Sequence, residues 1–157
     1  MDNEKYILVI ADRSKEMDVA LQYACSRSKK TNRKIIIATF IEPLDVLTTQ
    51  GVTEIMQNEA REEAEKRLKH ASTFVKNITG TMPVLYVREG EVIKELKALI
   101  EEEKNINVLV LASNVDEKNN DPGPIISSLV SKELSNLRIP VMIIPGNFSK
   151  EHIALIT

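Results

Sequence analysis

The sequence has 157 residues, 43% hydrophobic and 28% charged, which suits one domain with one sizeable core. Its 21 basic and 23 acidic residues are well mixed at a net charge of −2, so neither a nucleic-acid-binding basic stripe nor a tail of like charge is expected. Cys25 is the only cysteine, which excludes an intramolecular disulfide and a multi-cysteine zinc site.

The chain starts Met-Asp-Asn-Glu-Lys and runs straight into residues 6–11 (YILVIA). A signal peptide needs a basic start and a longer apolar core. No later stretch approaches the roughly 20 apolar residues of a membrane helix. The expected location is therefore the cytoplasm, with no membrane partner. The first run reads as a strand that ends in Asp12, followed by Ser14 as the N-cap of a helix. That helix carries Met17, Ala20, Leu21, Ala24, Cys25 and Ser28 on one stripe.

Residues 34–40 (KIIIATF) read as the second strand, and residues 43–51 (PLDVLTTQG) as a loop. A long Glu- and Lys-rich helix follows, with Met56, Ala60, Ala64, Leu68, Ala71, Val75 and Ile78 as its apolar face. Residues 83–87 (PVLYV) make the third strand, and Val92, Ile93, Leu96, Leu99 and Ile100 the third helical stripe. Residues 107–112 (NVLVLA) make the fourth strand. The polar segment 113–124 (SNVDEKNNDPGP) then leads into a helix that starts at Pro124, where a missing N–H costs nothing. Its stripe is Ile126, Leu129, Val130, Glu133, Leu134 and Leu137. Residues 140–144 (PVMII) close the series. The tail after Gly146 fits one helical turn capped by Ser149, read as a loosely docked end. The division is a domain over 1–146 and a tail over 147–157.

Strands alternating with helices predict an α/β fold: a five-stranded parallel sheet over residues 6–12, 34–40, 83–88, 107–112 and 140–145, with helices on both faces. The first, second and fourth runs are almost continuously apolar, as strands covered on both faces are. Ligands of such sheets bind outside the carboxyl ends, where strand order reverses. Order 3-2-1-4-5 puts that crevice beside Asp12 and residues 113–128. Order 2-1-3-4-5 puts it beside Asp12 and Glu89. The long polar segment favours the first.

Rival chemistries lack their residues. No Gly-x-Gly-x-x-Gly follows the first strand, and no Walker A loop occurs. A receiver domain needs a lysine after the fifth strand, where Pro145-Gly146 stands. No Ser-His-Asp or Cys-His set is suggested, and no metal site, since His70 and His152 read as exposed. Cys25 reads as a buried, inert thiol. No catalytic residue is assigned, and the protein is not expected to be an enzyme.

Residues 6–16 (YILVIADRSKE), 36–43 (IIATFIEP), 88–91 (REGE) with Ile93, Leu96 and Ile100, 108–113, and 126–144 together resemble the universal stress protein family. The resemblance covers residues 5–146 and implies the 3-2-1-4-5 order. It also implies an adenine nucleotide, ATP or AMP, as the ligand class, near Ala11, Asp12, Phe40, Gly123, Ser127 and Ser128. ATP-binding members carry Gly-x2-Gly-x9-Gly-Ser/Thr after the fourth strand, whose glycines let amides approach phosphates. Here Ala112, Val115 and Ser127 stand at the glycine positions and only Ser128 matches. Gly123 lies between Pro122 and Pro124, which donate no N–H, and Asp116, Glu117 and Asp121 make the segment acidic.

The expected function is thus a stress-response regulator that binds adenine nucleotide weakly or in a modified mode and acts on protein partners. The alternatives are an ATP-binding protein with slow hydrolysis and a dimerisation scaffold with a degenerate pocket. A homodimer is expected through the fifth strand, whose Val141, Met142, Ile143 and Ile144 form an uncharged apolar edge. The family resemblance points to the same strand.

Overall fold

A computed structural model describes residues 4–43, 50–116, 118 and 121–157. Most of the predicted loop at 43–51, and Glu117, Asn119 and Asn120 of the polar segment, lie outside the described residues. In chain order the elements are β1 (Tyr6–Ile10), α1 (Met17–Thr31), β2 (Lys34–Ile41), α2 (Gln50–Thr79), β3 (Val84–Glu89), α3 (Val92–Glu102), β4 (Ile106–Ser113), α4 (Pro124–Ser128), β5 (Val141–Pro145) and α5 (Lys150–Ile156). A π-helical turn (Leu129–Glu133) and a 3-10 turn (Leu134–Asn136) connect α4 to β5.

The sheet is parallel throughout and ordered β3-β2-β1-β4-β5. The apolar character of each run tracks its position. The central strands β1, β2 and β4 are buried along most of their length, whereas the edge strand β3 is largely exposed and the edge strand β5 exposes Met142 and Ile143. Alternation along the strands sends Ile7, Val9, Ile35 and Ile37 to a core under α1 and α2, and Leu8, Ile10, Ile36 and Leu109 to a second core under α3 and α4. Leu96, Leu99 and Ile100 fill the second core from α3, as their spacing requires.

Helix α2 positions the site. Its 30 residues span about 45 Å, roughly twice the length of the eight-residue strand it packs on. Ala64, Leu68, Ala71 and Val75 are buried, but Val52, Ile55 and Met56 are exposed. Only the later part of the predicted stripe therefore reaches the core. Further along the helix, Ala60 and Arg67 line a cleft at the carboxyl edge of the sheet.

Three expectations are corrected. Ser14 is not the N-cap of α1: Asp12 Oδ1 accepts from both its backbone N–H (2.9 Å) and its hydroxyl (2.6 Å), so the helix opens three residues later behind Glu16. The fourth stripe does not stay on one face. The switch to π and 3-10 winding leaves Ile126 and Leu129 in the core but turns Val130 and Leu134 outward, while Glu133 pairs with Lys97 at 2.8 Å. The tail is not a loose end. Ser149 caps α5 by accepting the N–H of His152 (3.0 Å), and Ile153, 1% exposed, is buried in the core beside α1.

Candidate functional site

Two neighbouring strands of a parallel sheet whose crossovers leave in opposite directions open a crevice at their carboxyl ends. Here that pair is β1 and β4, and Asp12 follows the end of β1. Three concavities meet at this residue. The first, about 440 Å³, spreads over the ends of β1 and β2 between Ala11, Asp12, Phe40, Ile41, Pro43 and the α2 residues Ala60 and Arg67, with Val92 and Ile125 closing the far side. The second, about 460 Å³, lies between Asp12, Ser14, Glu91, Val92, Pro124 and Ser128. The third, about 80 Å³, is a slot between β1 and β4 lined by Asp12, Ala112, Asn114, Pro122 and Gly123. Together their walls are mainly apolar with a few convergent polar groups, the usual character of a small-molecule site.

The structure brings the candidate residues to this edge but gives each a definite local duty. Asp12 Oδ1 holds the turn at Ser14, and among the described residues no hydrogen bond engages Oδ2. Asp12 thus serves as a turn-holding carboxylate and borders the cleft as well. Ala11 has both backbone groups engaged: its N–H donates to Ala38 (2.8 Å) and its carbonyl accepts from the buried Thr39 hydroxyl (2.8 Å). Phe40 lines the first cavity, and its side chain is buried in the core beneath. Ser128 faces the second concavity.

Gly123 and Ser127 serve the loop itself. Gly123 has φ +123°, a region that side-chain-bearing residues rarely adopt, and a Cβ there would meet nothing within 4 Å. The glycine is needed for backbone conformation, not for close approach of another group. Its N–H donates to Asp121 Oδ1 at 3.0 Å, and the Ser127 hydroxyl donates to the same oxygen at 3.1 Å. Asn114 N–H donates to the Pro122 carbonyl (3.0 Å), and Asp116 N–H to Asn114 Oδ1 (3.0 Å). Among the described residues the loop thus commits the Gly123 amide and the Ser127 hydroxyl to a carboxylate, where a phosphate-cradling loop presents open amides.

The sequence reading missed Arg67. It occupies the α2 face between Ala64 and Ala71, at the i+3 spacing that faces the core, and this charged residue on an apolar face is the signal that marks it. Its Nη2 donates to Thr39 Oγ1 at 3.2 Å, and its Nε is buried with no acceptor. Burial holds the guanidinium below its ordinary pKa and the nearby charge of Arg13 adds to this, while Glu63 and Asp12 oppose the shift. Arg13, also on the cavity wall, pairs with Glu63 at 2.9 Å. Among the described residues no group of His, Cys, Asp and Glu is arranged to hold a metal ion, and no helix is long and apolar enough to cross a membrane.

The architecture has close counterparts among solved structures. A universal stress protein UspA from Lactobacillus plantarum superposes with a TM-score of 0.73 at 13% identity, over 92% of this chain and 99% of that one. A universal stress protein solved in complex with cAMP gives 0.65 at 20% identity, over 92% and 98%. One from Archaeoglobus fulgidus, solved in complex with dAMP, gives 0.62 at 12% identity, over 90% and 97%. At these identities the likeness establishes the fold. No curated protein matches the sequence. The sequence model of the universal stress protein family matches residues 4–145, nearly the whole parallel-sheet domain, and the chain belongs to that family.

Proposed function

We propose that this universal stress protein is a cytoplasmic, homodimeric regulator that binds an adenine nucleotide weakly and acts through protein partners rather than by turnover. The observation that carries this reading is the pairing of an apolar cavity at Asp12 with a loop that spends its donors on Asp121. The cavity offers room for a base and ribose. The loop offers a triphosphate few preorganised donors, and such donors are the main source of stabilisation in phosphoryl transfer. Structural neighbours solved with cAMP and dAMP support adenine nucleotides as the ligand class. The dimer would form along β5, where Met142 and Ile143 are exposed and α5 packs on α1 instead.

The test is direct. Purified protein is denatured and the supernatant assayed for released nucleotide, and fresh protein is titrated with AMP by calorimetry. The expected result is saturable AMP binding with a dissociation constant on the order of 100 μM, or about −5.5 kcal/mol. Absence of any AMP binding up to millimolar concentration, with no copurified nucleotide, would leave the dimerisation scaffold as the better reading.

A further inference from the structure

We propose that Arg67 is an oxyanion anchor, donating from α2 to a phosphate oxygen of the ligand in the cavity beside Asp12. The proposal rests on the nucleotide reading above for the identity of the ligand, and on the residue's own surroundings for its chemistry.

A guanidinium carries five N–H donors in a rigid fork. In this structure Arg67 uses one of them, on Thr39. Nε has been removed from water and given no acceptor, which is costly for a polar group and more so for a charged one. The residue as a whole is half-buried, and among the described residues no carboxylate lies within ion-pair distance of it. The nearest acidic neighbour on the helix, Glu63, is engaged by Arg13.

The surroundings keep the group where it is. Ala60 is one of its neighbours on the cavity wall, and Ala64 and Ala71 flank it along the helix, so small side chains leave space around the long stem. Thr39, fully buried, fixes one end of the fork by bridging Nη2 to the carbonyl of Ala11. A cation held by the sheet and short of acceptors at the wall of a 440 Å³ cavity is complementary to an anion entering that cavity. In the loop beyond β4, Asp121 already holds the Gly123 amide and the Ser127 hydroxyl, which weakens its competition for that role. Charge recognition is thereby moved from the loop to the helix. A monophosphate suffices for such a single anchor, and added phosphates bring no further contact from Arg67.

The experiment compares wild type, Arg67→Met and Arg67→Lys, titrated calorimetrically with AMP and with adenosine. Thermal unfolding in inorganic phosphate against chloride at equal ionic strength supplies a second readout. Wild type is expected to bind AMP about tenfold more tightly than adenosine. Arg67→Met should bind the two alike, with adenosine affinity unchanged, and Arg67→Lys should keep part of the preference as a point charge without the fork. Phosphate should raise the unfolding temperature of wild type and not of Arg67→Met. If wild type binds neither AMP nor adenosine but its phosphate stabilisation disappears in Arg67→Met, the anion anchor stands and the nucleotide reading falls. If the AMP preference or the phosphate stabilisation persists in Arg67→Met, or if wild type shows neither, the anchor is overturned. Should Arg67→Met fail to fold, an AMP preference reduced in folded Arg67→Lys with adenosine binding kept supports the anchor, and an undiminished preference, or adenosine and AMP weakened equally there, overturns it.

Discussion

Replacing Ile143 with lysine is expected to convert a dimer into monomers. Strand β5 ends the sheet, and its Met142 and Ile143 are 38% and 39% exposed. An unpaired strand edge is a template for another chain unless something blunts it. The opposite edge, β3, exposes Val84, Leu85 and Val87 but is guarded by charge: Arg88 pairs with Glu102, and Arg61 with Glu89. Strand β5 carries no charge at all. Val130 and Leu134, turned outward by the π and 3-10 turns, add apolar surface on the segment leading into it. A two-fold axis along β5 would join like surfaces and place position 143 of each protomer at the seam. Two lysines introduced there must lose water without a partner, at a cost of several kcal/mol. Dissociation should become at least a hundredfold easier, about 2.7 kcal/mol. Sedimentation equilibrium of both proteins over a concentration range measures this. Wild type that stays monomeric at high micromolar concentration contradicts the interface.

The second large effect concerns Cys25. Its side chain is fully buried among Ala20, Leu21 and Ala24, and burial pushes the thiol pKa up to about 12, opposed weakly by Lys29. The thiolate is the reactive form, so at neutral pH the native thiol should alkylate with iodoacetamide at least a thousandfold more slowly than a free cysteine. The same shift has a consequence for stability. The unfolded chain releases this proton near its ordinary value of 9.0 and the folded chain near 12, so the contribution is intact below pH 9 and declines from there to about pH 12. The slope is about 1.4 kcal/mol per pH unit across that window. Urea denaturation of wild type and Cys25→Ala at pH 8 and pH 10 isolates it, with wild type losing more on going to the higher pH. Rapid alkylation of the folded protein, or identical losses for the two proteins, would show that the thiol is not held in this way.

The strands, the helix placement and the position of Asp12 were legible because they depend on periodicity and on which runs are continuously apolar, whereas the strand order rested on the long polar segment after the fourth strand and on the family resemblance. Residues 34–40 are apolar on both faces because β2 is covered on both. What escaped the sequence depends on competition between nearby groups. Ser14 has the chemistry of an N-cap, yet Asp12, two residues away, takes its hydroxyl first. Val130 and Leu134 keep a helical spacing, but spacing read at 3.6 residues per turn does not report a change of winding. The seven-residue helix after Ser149 is too short to predict docking, which is decided by where Ile153 meets α1. The missing glycines of the β4 loop were visible. That Asp121 occupies the Gly123 amide and the Ser127 hydroxyl was not, because Asp121 reads in sequence only as one acidic residue among several.

The central claim is that the cavity at Asp12 takes a nucleotide while the loop beyond β4 gives a triphosphate no strong cradle. Calorimetric titration of wild type and Ser128→Ala with ATP tests it most directly. The Gly123 amide and the Ser127 hydroxyl are committed to Asp121, whereas Ser128, the one match to the family loop, lines the second concavity. A single hydroxyl contributes about 1 kcal/mol. The predicted result is an ATP dissociation constant weaker than about 1 μM, or about −8 kcal/mol, changed less than about tenfold in Ser128→Ala. Sub-micromolar ATP binding that Ser128→Ala abolishes would contradict the account.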